Sequence, residues 1–329
     1  MKFICFDLEG PLSPQDNAYE LMKLFPQGDR VFTVISRYDD LLALEGREGY
    51  EPGDTLALIV PFLTYHGISE DKIIRLAERA GMTPGAPELI AQLHSQDWEV
   101  FCISTSYEQY AVHIARRLSI PIKNVACTSF PLDRLRQTLC QQDFAPVARV
   151  EEEILGLCPV SDDRRIKERL DRFFWQELPG TALGQTMQKV NPVGGQRKVD
   201  ALSKFSTKHS QPLSQWVAIG DSITDFKMLA AVDQAGGLAI AFNANEYALP
   251  YSTIGLASTN IFDLWPLLQA WDEGQRQAAE ALVKGKELTG GVGDREHFHW
   301  MVGRRDLDQP LAIHKRVRML VREEAARLG

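Results

Sequence analysis

The chain has 329 residues, of which 44% are hydrophobic and 24% are charged, which is typical of globular proteins of one large or two modest domains. Its formal net charge of −8 argues against a dominant nucleic-acid or anionic-membrane surface. An anionic substrate stays open, because a metal ion or a small cationic pocket can reverse the local field. No apolar run approaches the roughly 20 residues of a membrane span, and the first ten residues turn acidic too soon for a signal peptide, so we expect a cytoplasmic protein.

The five cysteines form no CxxC pair and indicate neither a disulfide framework nor a zinc site. Cys5, Cys102 and Cys127 lie in apolar runs, where a reduced thiol behaves as a small hydrophobic side chain.

Six short segments are predicted to be β-strands from their apolar and β-branched content and from the turn residues that bound them. They are residues 2–8, 98–105, 124–130, 215–222, 238–244 and 253–259. Several are apolar on both faces, which is typical of a parallel sheet covered by helices on each side. Helical patterns at 83–96, 107–120, 196–208 and 224–234 alternate with these strands. The alternation predicts an α/β fold with a doubly wound parallel sheet.

Two long segments interrupt this alternation, and both have mostly helical patterns. The predicted organisation is an α/β core of residues 1–12, 84–130 and 193–270, a helical cap insertion at 13–83, a second helical insertion at 131–192, and a helical C-terminal extension at 271–329. The extension ends in an amphipathic pattern at residues 314–328, HKRVRMLVREEAARL.

Polar side chains follow the predicted strands where those strands end. Ligands of a doubly wound sheet bind beyond the carboxyl ends of its strands, so these groups are expected to converge on one crevice. They are Asp7, Glu9, Ser104, Asp221 and Asp225, with Lys198 opening the helix before the fourth strand.

Each of these residues alone has a plainer interpretation. Ser104 and Asp221 are residue types that cap helices, and Asp225 is a first-turn acid that complements a helix dipole. Together, however, four carboxylates repel one another unless a cation lies among them. Oxygen ligands with few histidines favour a hard divalent ion, Mg²⁺ before Zn²⁺.

These residues carry a family resemblance. FDLEG at Phe6–Gly10, the strand-ending Ser104, Lys198 in QRKVDAL and GDSITDFKML resemble, in order, the four motifs of the haloacid dehalogenase (HAD) superfamily. The segment AIAFNAN (239–245) is similar to one found in HAD phosphatases of the phosphoserine phosphatase type. The resemblance covers about the core half of the chain and implies a HAD-like Rossmannoid core with a helical cap.

The chain departs from that pattern in its first motif, where most HAD phosphatases have Asp-x-Asp and this chain has Asp-x-Glu. The variant resembles bacterial phosphoserine phosphatase/homoserine phosphotransferase enzymes. Their Ser-x-Thr arrangement favours Ser104 over Thr105 as the second motif.

The resemblance implies a Mg²⁺-dependent phosphatase or phosphotransferase acting on a small phosphorylated metabolite. Asp7 is the implied nucleophile and Glu9 the general acid and base, while Ser104 and Lys198 contact the phosphoryl group. The implied Mg²⁺ ligands are Asp7, Asp221, Asp225 and the backbone carbonyl of Glu9.

Two alternatives remain. A HAD-like regulatory or assembly scaffold with little activity is favoured by the Asp-x-Glu departure and by the unassigned insertions, and a C–P-cleaving enzyme is less favoured because no cap lysine stands out.

Cap candidates for contacting the leaving group are Asp16, Asn17, Glu20, Arg37, Arg47 and His66, each of a type more often found at a solvated surface. The histidines of HFHW (297–300) are interpreted as packing or surface residues. The substrate, the phosphoryl acceptor, the role of the second insertion and any homo-oligomer are not determined by the sequence.

Overall fold

The computed structural model describes residues 2–289 and 295–322. All six predicted strands are present, and a seventh joins them. The strands are β1 (Lys2–Phe6), β2 (Trp98–Tyr107), β3 (Val125–Thr128), β4 (Trp216–Gly220), β5 (Leu238–Phe242), β6 (Ile254–Ala257) and β7 (His297–Trp300).

The seven strands form one sheet in the order β3-β2-β1-β4-β5-β6-β7, in which β1 to β6 run parallel and β7 runs antiparallel to β6. Alternate residues of β1 enter two separate apolar clusters, one on each face of the sheet: Phe3 and Cys5 on one, Ile4 and Phe6 on the other. Burial of both faces explains why these strands have continuous apolar sequences. The predicted doubly wound α/β fold is confirmed.

Fifteen α-helices surround or extend this sheet in the described residues. They are α1 (Asn17–Met22), α2 (Gly28–Glu45), α3 (Thr55–Leu58), α4 (Val60–Tyr65), α5 (Glu70–Arg79), α6 (Ala86–Ser95), α7 (Glu108–Arg117), α8 (Leu132–Arg136), α9 (Ala145–Leu155), α10 (Asp163–Arg172), α11 (Ala182–Met187), α12 (Gln196–His209), α13 (Phe226–Gln234), α14 (Trp265–Thr289) and α15 (Asp308–Arg322). In this part of the chain, no helix is long and apolar enough to cross a membrane.

The first and second insertions pack against each other. Helix α2 contacts α9 and α10, and α4 contacts α9. Buried apolar side chains from both segments, including Ile35, Phe62, Val150 and Phe173, belong to one apolar cluster. The helices of the second insertion therefore share an apolar core with those of the first.

The wholly helical interpretation of residues 271–329 was wrong at β7. His297–Trp300 pairs with β6 as an antiparallel edge strand and packs against α14. Four residues with alternating histidines are too short a run for a sequence pattern, and the strand is stabilised by its partner strand and by α14. His299 is buried there, and burial lowers its pKa to about 4. The predicted terminal helix is present as α15, and its residues 323–328 lie outside the described residues.

Candidate active site

Strand β1 brings Asp7 to the crevice at the carboxyl ends of the central strands. The backbone N–H of Asp7 donates to Ile219 O at 2.8 Å, which fixes the strand end against β4. Its Oδ1 accepts the N–H of Leu8 at 2.8 Å and lies 2.7 Å from Lys198 Nζ. Burial, and then the neighbouring Asp225, raise the pKa of Asp7 well above its usual range despite the Lys198 ammonium. The lysine alone therefore does not compensate the charge of this buried carboxylate.

Lys198 joins Asp7 to Asp225. The lysine is fully buried near the start of α12, and its Nζ also lies 2.7 Å from Asp225 Oδ1. The second oxygen of Asp225, Oδ2, accepts the backbone N–H groups of Asp221 at 3.0 Å and Ser222 at 3.1 Å. Asp225 thus holds both the lysine and the loop that follows β4.

Glu9 lies beside this pair and is bound by a serine of β2. Its Oε1 accepts a hydrogen bond from the Ser106 hydroxyl. Burial, and then the nearby Asp16, raise the pKa of Glu9 to about 8, against the opposing effects of Ser106, Arg322 and Lys198. A carboxylic acid with this pKa is protonated at neutral pH and suits proton donation to a leaving group.

Ser104, the predicted second-motif serine, is buried in β2. Ser104 Oγ accepts the N–H of Ser106 at 3.0 Å, while the Thr105 hydroxyl donates to Val193 O at 3.2 Å. Thr105 lines the cavity described below. A phosphoryl contact by Ser104 stays a prediction.

Asp221 is held by two arginines that the sequence analysis did not select. Its Oδ2 pairs with Arg318 Nη1, and with Arg322 Nη1 at 2.7 Å. Both arginines are buried and lie on α15, four residues apart. Their i, i+4 spacing was visible in the sequence, but Lys315 and Arg316 are basic residues of the same helix, and no local pattern distinguishes the buried pair from them.

The donor set fits a hard divalent cation. One carboxylate oxygen each of Asp7, Asp221 and Asp225 lie within 4.8 Å of one another. Asp221 Oδ1 is buried and has no hydrogen-bond partner, an arrangement that is costly unless a ligand completes it. Gly10, with φ of +96°, passes so close that a Cβ there would overlap the Asp221 carboxylate. Three carboxylates and a close backbone suit Mg²⁺ better than a softer metal.

A small cavity of about 110 Å³ opens above these acids. Its floor includes Asp7, Glu9 and Asp221, and its walls come from the first insertion and from α15. The cap side chains at the wall include Asp16, Phe32, Ser36, Asp39 and Asp40.

The acids of the cap wall carry raised pKa values. Asp39 is buried and accepts a hydrogen bond from the Tyr50 hydroxyl, and burial raises its pKa to about 7. Burial likewise raises the pKa of Asp40 to about 6, against the opposing effect of Arg37.

No family model matches the chain. Human phosphoserine phosphatase is 31% identical over 126 residues, which are 37% of this chain and 51% of that protein. The enzyme from Bos taurus is 30% identical over the same share of each chain. The chain thus aligns with about half the length of these curated relatives.

Solved structures extend the similarity beyond that segment. A gene product from Archaeoglobus fulgidus has a TM-score of 0.86 and 28% identity, over 100% of this chain and 99% of its own. A phospho-aspartyl intermediate analogue of phosphoserine phosphatase has a TM-score of 0.52 and 18% identity, over 80% of this chain and 97% of that one. A substrate-bound phosphoserine phosphatase has a TM-score of 0.53 and 17% identity over the same shares. The chain is thus similar in sequence to phosphoserine phosphatases over about a third of its length, and it shares the fold of solved phosphoserine phosphatases.

Three of the six cap residues predicted to contact the leaving group lie away from the site. Arg37 pairs with Asp163 through Nε at 2.9 Å and Nη2 at 2.6 Å. Arg47 lies 4.2 Å from the Trp175 ring centroid, and His66 Nε2 lies 2.7 Å from Glu151 Oε2. All three thus contact the second insertion.

The remaining cap candidates lie near the first turn of α1. Asp16 lines the cavity and also caps α1 by accepting the N–H of Tyr19 at 2.9 Å. Asn17 is buried, whereas Glu20 lines a separate surface depression.

The NPVGG stretch (191–195) and the start of α12 join the cap to the α/β core. Gly194 approaches Pro52 so closely that a Cβ would overlap the Pro52 carbonyl. Arg197 pairs with both oxygens of Asp54, and the backbone N–H of Gln196 donates to Glu51 Oε2 at 2.8 Å. These contacts join the lysine-bearing helix α12 to the cap loop, whose Gly53 lines the cavity.

Proposed function

We propose that this protein is a Mg²⁺-dependent phosphatase or phosphotransferase that acts on a small phosphomonoester through a phosphorylated Asp7. The observation that carries the proposal is the cluster of three buried carboxylates, Asp7, Asp221 and Asp225, with oxygens within 4.8 Å and Lys198 between two of them. The phospho-aspartyl analogue known for a phosphatase of the same fold supports the choice of Asp7.

In the first step, an Asp7 carboxylate oxygen forms a bond to phosphorus while the bond from phosphorus to the ester oxygen breaks. The leaving alkoxide takes the proton of Glu9, which Glu9 holds at neutral pH because its pKa is about 8. The products are an acyl phosphate on Asp7 and the free alcohol.

In the second step, the Glu9 carboxylate takes a proton from an attacking water, or from another alcohol in a phosphotransfer. The new oxygen–phosphorus bond replaces the bond to Asp7, so the Asp7 carboxylate and the protonated Glu9 are restored. Ser106 steadies Glu9 throughout, because its hydroxyl donates to Oε1.

Lys198 binds and orients the reacting oxygens. Its ammonium is buried, so its charge acts at low effective dielectric on the nucleophile and on the phosphoryl group beside it. A Mg²⁺ held by Asp7, Asp221, Asp225 and the Glu9 carbonyl would neutralise phosphoryl charge that develops during transfer. Ser104 and the backbone of the Leu8–Glu9–Gly10 turn are the remaining proposed phosphoryl contacts.

The cavity supports a small substrate. Its volume is only about 110 Å³, and the acids Asp16, Asp39 and Asp40 form part of the wall. A bulky phosphorylated molecule requires the cap loop to move, because Glu51 and Asp54 are tied to α12.

The test is release of phosphate from p-nitrophenyl phosphate and a panel of small phosphomonoesters, with Mg²⁺ and with EDTA. Wild-type turnover should require Mg²⁺ and disappear in Asp7→Asn. Asp272→Asn is the matched control, because Asp272 is an exposed acid paired with Lys2 at the surface. Absence of turnover across the panel, from folded protein that binds Mg²⁺, would contradict the proposal and favour the regulatory scaffold.

A further inference from the structure

The C-terminal helix α15 reaches into the proposed metal site. Arg318 Nη1 pairs with Asp221 Oδ2 and lies 3.4 Å from the carbonyl oxygens of Asp221 and Asn243. Arg322 Nη1 lies 2.7 Å from the same Oδ2, and its Nε donates to Pro14 O at 3.1 Å. Both guanidinium groups therefore converge on one oxygen of one proposed metal ligand, and both line the cavity.

The surroundings keep these arginines in place. Arg318 is 3% and Arg322 is 7% exposed, so neither charge is dispersed by bulk water. The nearby His314 anchors the same helix, since its Nδ1 accepts the N–H of Ala244 at 2.9 Å. Helix α15 is thereby fixed to the segment that follows β5, directly beside the acids.

The two arginines bring the charge of the acid cluster to balance. When all three acids are ionised, as metal binding requires, Asp7, Asp221 and Asp225 carry three negative charges, and Lys198, Arg318 and Arg322 carry three positive ones. A divalent cation that enters this balanced cluster creates an excess of two positive charges, which a phosphoryl dianion would offset. Without the arginines, the same cluster would hold two uncompensated negative charges and attract the cation more strongly.

We propose that Arg318 and Arg322 are positioning residues that act through Asp221 as built-in counter-ions and thereby weaken the binding of the divalent cation until the phosphoryl group arrives. The inference rests on the proposed function, since it takes the acid cluster as the metal site. It explains why Asp221 leaves one oxygen, Oδ1, buried without a partner while the other has two cationic partners.

The test is titration of the full-length, metal-free protein with Mn²⁺, followed by electron paramagnetic resonance of the free ion. Arg318→Gln and Arg322→Gln should each bind Mn²⁺ at least about tenfold more tightly than the wild type. A unit charge and a divalent ion a few ångström apart interact by more than the free energy of a tenfold change, even at high dielectric. Arg322→Lys should stay close to the wild type, because it keeps the charge.

Lys315→Gln is the matched control, since Lys315 lies on the exposed face of α15 and pairs with Glu246 at 3.2 Å. Circular dichroism establishes which variants fold, and each arginine variant tests the inference independently. As a second measurement, inorganic phosphate should tighten Mn²⁺ binding to the wild type, and by a smaller factor in the glutamine variants.

The outcomes separate the two proposals. Unchanged or weaker Mn²⁺ binding in the folded glutamine variants would overturn the counter-ion role while leaving the metal site intact. An absent phosphate effect on the wild type would overturn it as well. Absence of Mn²⁺ binding from the wild type and from both glutamine variants, with and without phosphate, would refute the metal site itself, and with it the proposed function.

Discussion

Replacing Lys198 by Met should destabilise the protein more than any surface substitution. Lys198 is fully buried, and its Nζ lies 2.7 Å from both Asp7 Oδ1 and Asp225 Oδ1. Methionine keeps the length of the side chain but removes the charge, so two buried carboxylates lose their shared cation. Removing one partner of a buried ion pair costs about 3–5 kcal/mol, and we expect a loss in that range at neutral pH.

The loss should depend on pH and on metal. The pKa of Asp7 is already raised in the folded protein, and removing Lys198 raises it further because the lysine opposes that shift. A carboxyl group with a raised folded-state pKa binds a proton more readily when folded, so the deficit of Lys198→Met should shrink as the pH falls. Added Mg²⁺ should restore part of the lost stability, since ligands that bind the folded state stabilise it.

The assay is urea unfolding followed by circular dichroism, in EDTA and then in Mg²⁺. The matched control is Lys227→Met, because Lys227 pairs with Glu51 at 2.8 Å but is one-third exposed (34%). An exposed pair contributes about 1 kcal/mol or less. If Lys198→Met lost no more free energy of unfolding than this control, the view that Lys198 neutralises the acid cluster would be refuted.

Three further predictions follow from the site and its supports. Glu9→Gln should abolish turnover yet stabilise the metal-free protein above pH 8. The pKa of Glu9 is raised to about 8 in the folded state, so the stability of the wild type falls as the pH rises from about 4.5 to 8, and glutamine avoids this loss. Thermal unfolding at pH 5 and pH 9 checks this, and equal shifts at both pH values would contradict it. Gly10→Ala should destabilise the protein by about 1–2 kcal/mol from its φ of +96° alone, and by more because the new Cβ overlaps Asp221. The control Gly303→Ala, also at positive φ but facing open space, should show only the backbone cost. Similar losses of the two variants in urea unfolding would refute the overlap. Tyr38→Phe should lower the free energy of unfolding by about 1–3 kcal/mol without changing kcat, because the buried Tyr38 hydroxyl donates to Asp171 at 2.5 Å and accepts from Trp175 at 2.7 Å. A large loss of kcat at unchanged stability would contradict this purely structural role.

Much of the core was predictable because its sequence pattern is local. Each central strand is a short apolar run that both faces of the sheet bury, and the polar residues that follow β1 and β4 mark the strand ends. The convergence of Asp7, Asp221 and Asp225 follows from parallel strands that end at one edge. Lys198 could be selected because it opens the helix before β4 and matches a family motif.

The remaining features depend on contacts between distant parts of the chain. Arg318 lies 97 residues from Asp221 in sequence, and its charge resembles that of the exposed Lys315 until α15 is packed against the sheet. The pairing of Arg37 with Asp163 likewise joins two insertions whose contact no local pattern encodes. Strand β7 depends on β6 for its pairing, and the hydrogen bond from Ser106 to Glu9 depends on the register of β2.

The central claim is that Asp7 carries the phosphoryl group during turnover. Rapid quenching of the Mg²⁺-loaded protein in acid during turnover of a phosphomonoester, followed by peptide mass spectrometry, tests it directly. We expect the added mass of one phosphoryl group on the peptide that contains Asp7, with none in Asp7→Asn. Turnover that proceeds with the phosphoryl group on a different residue, or that persists in Asp7→Asn, would contradict it.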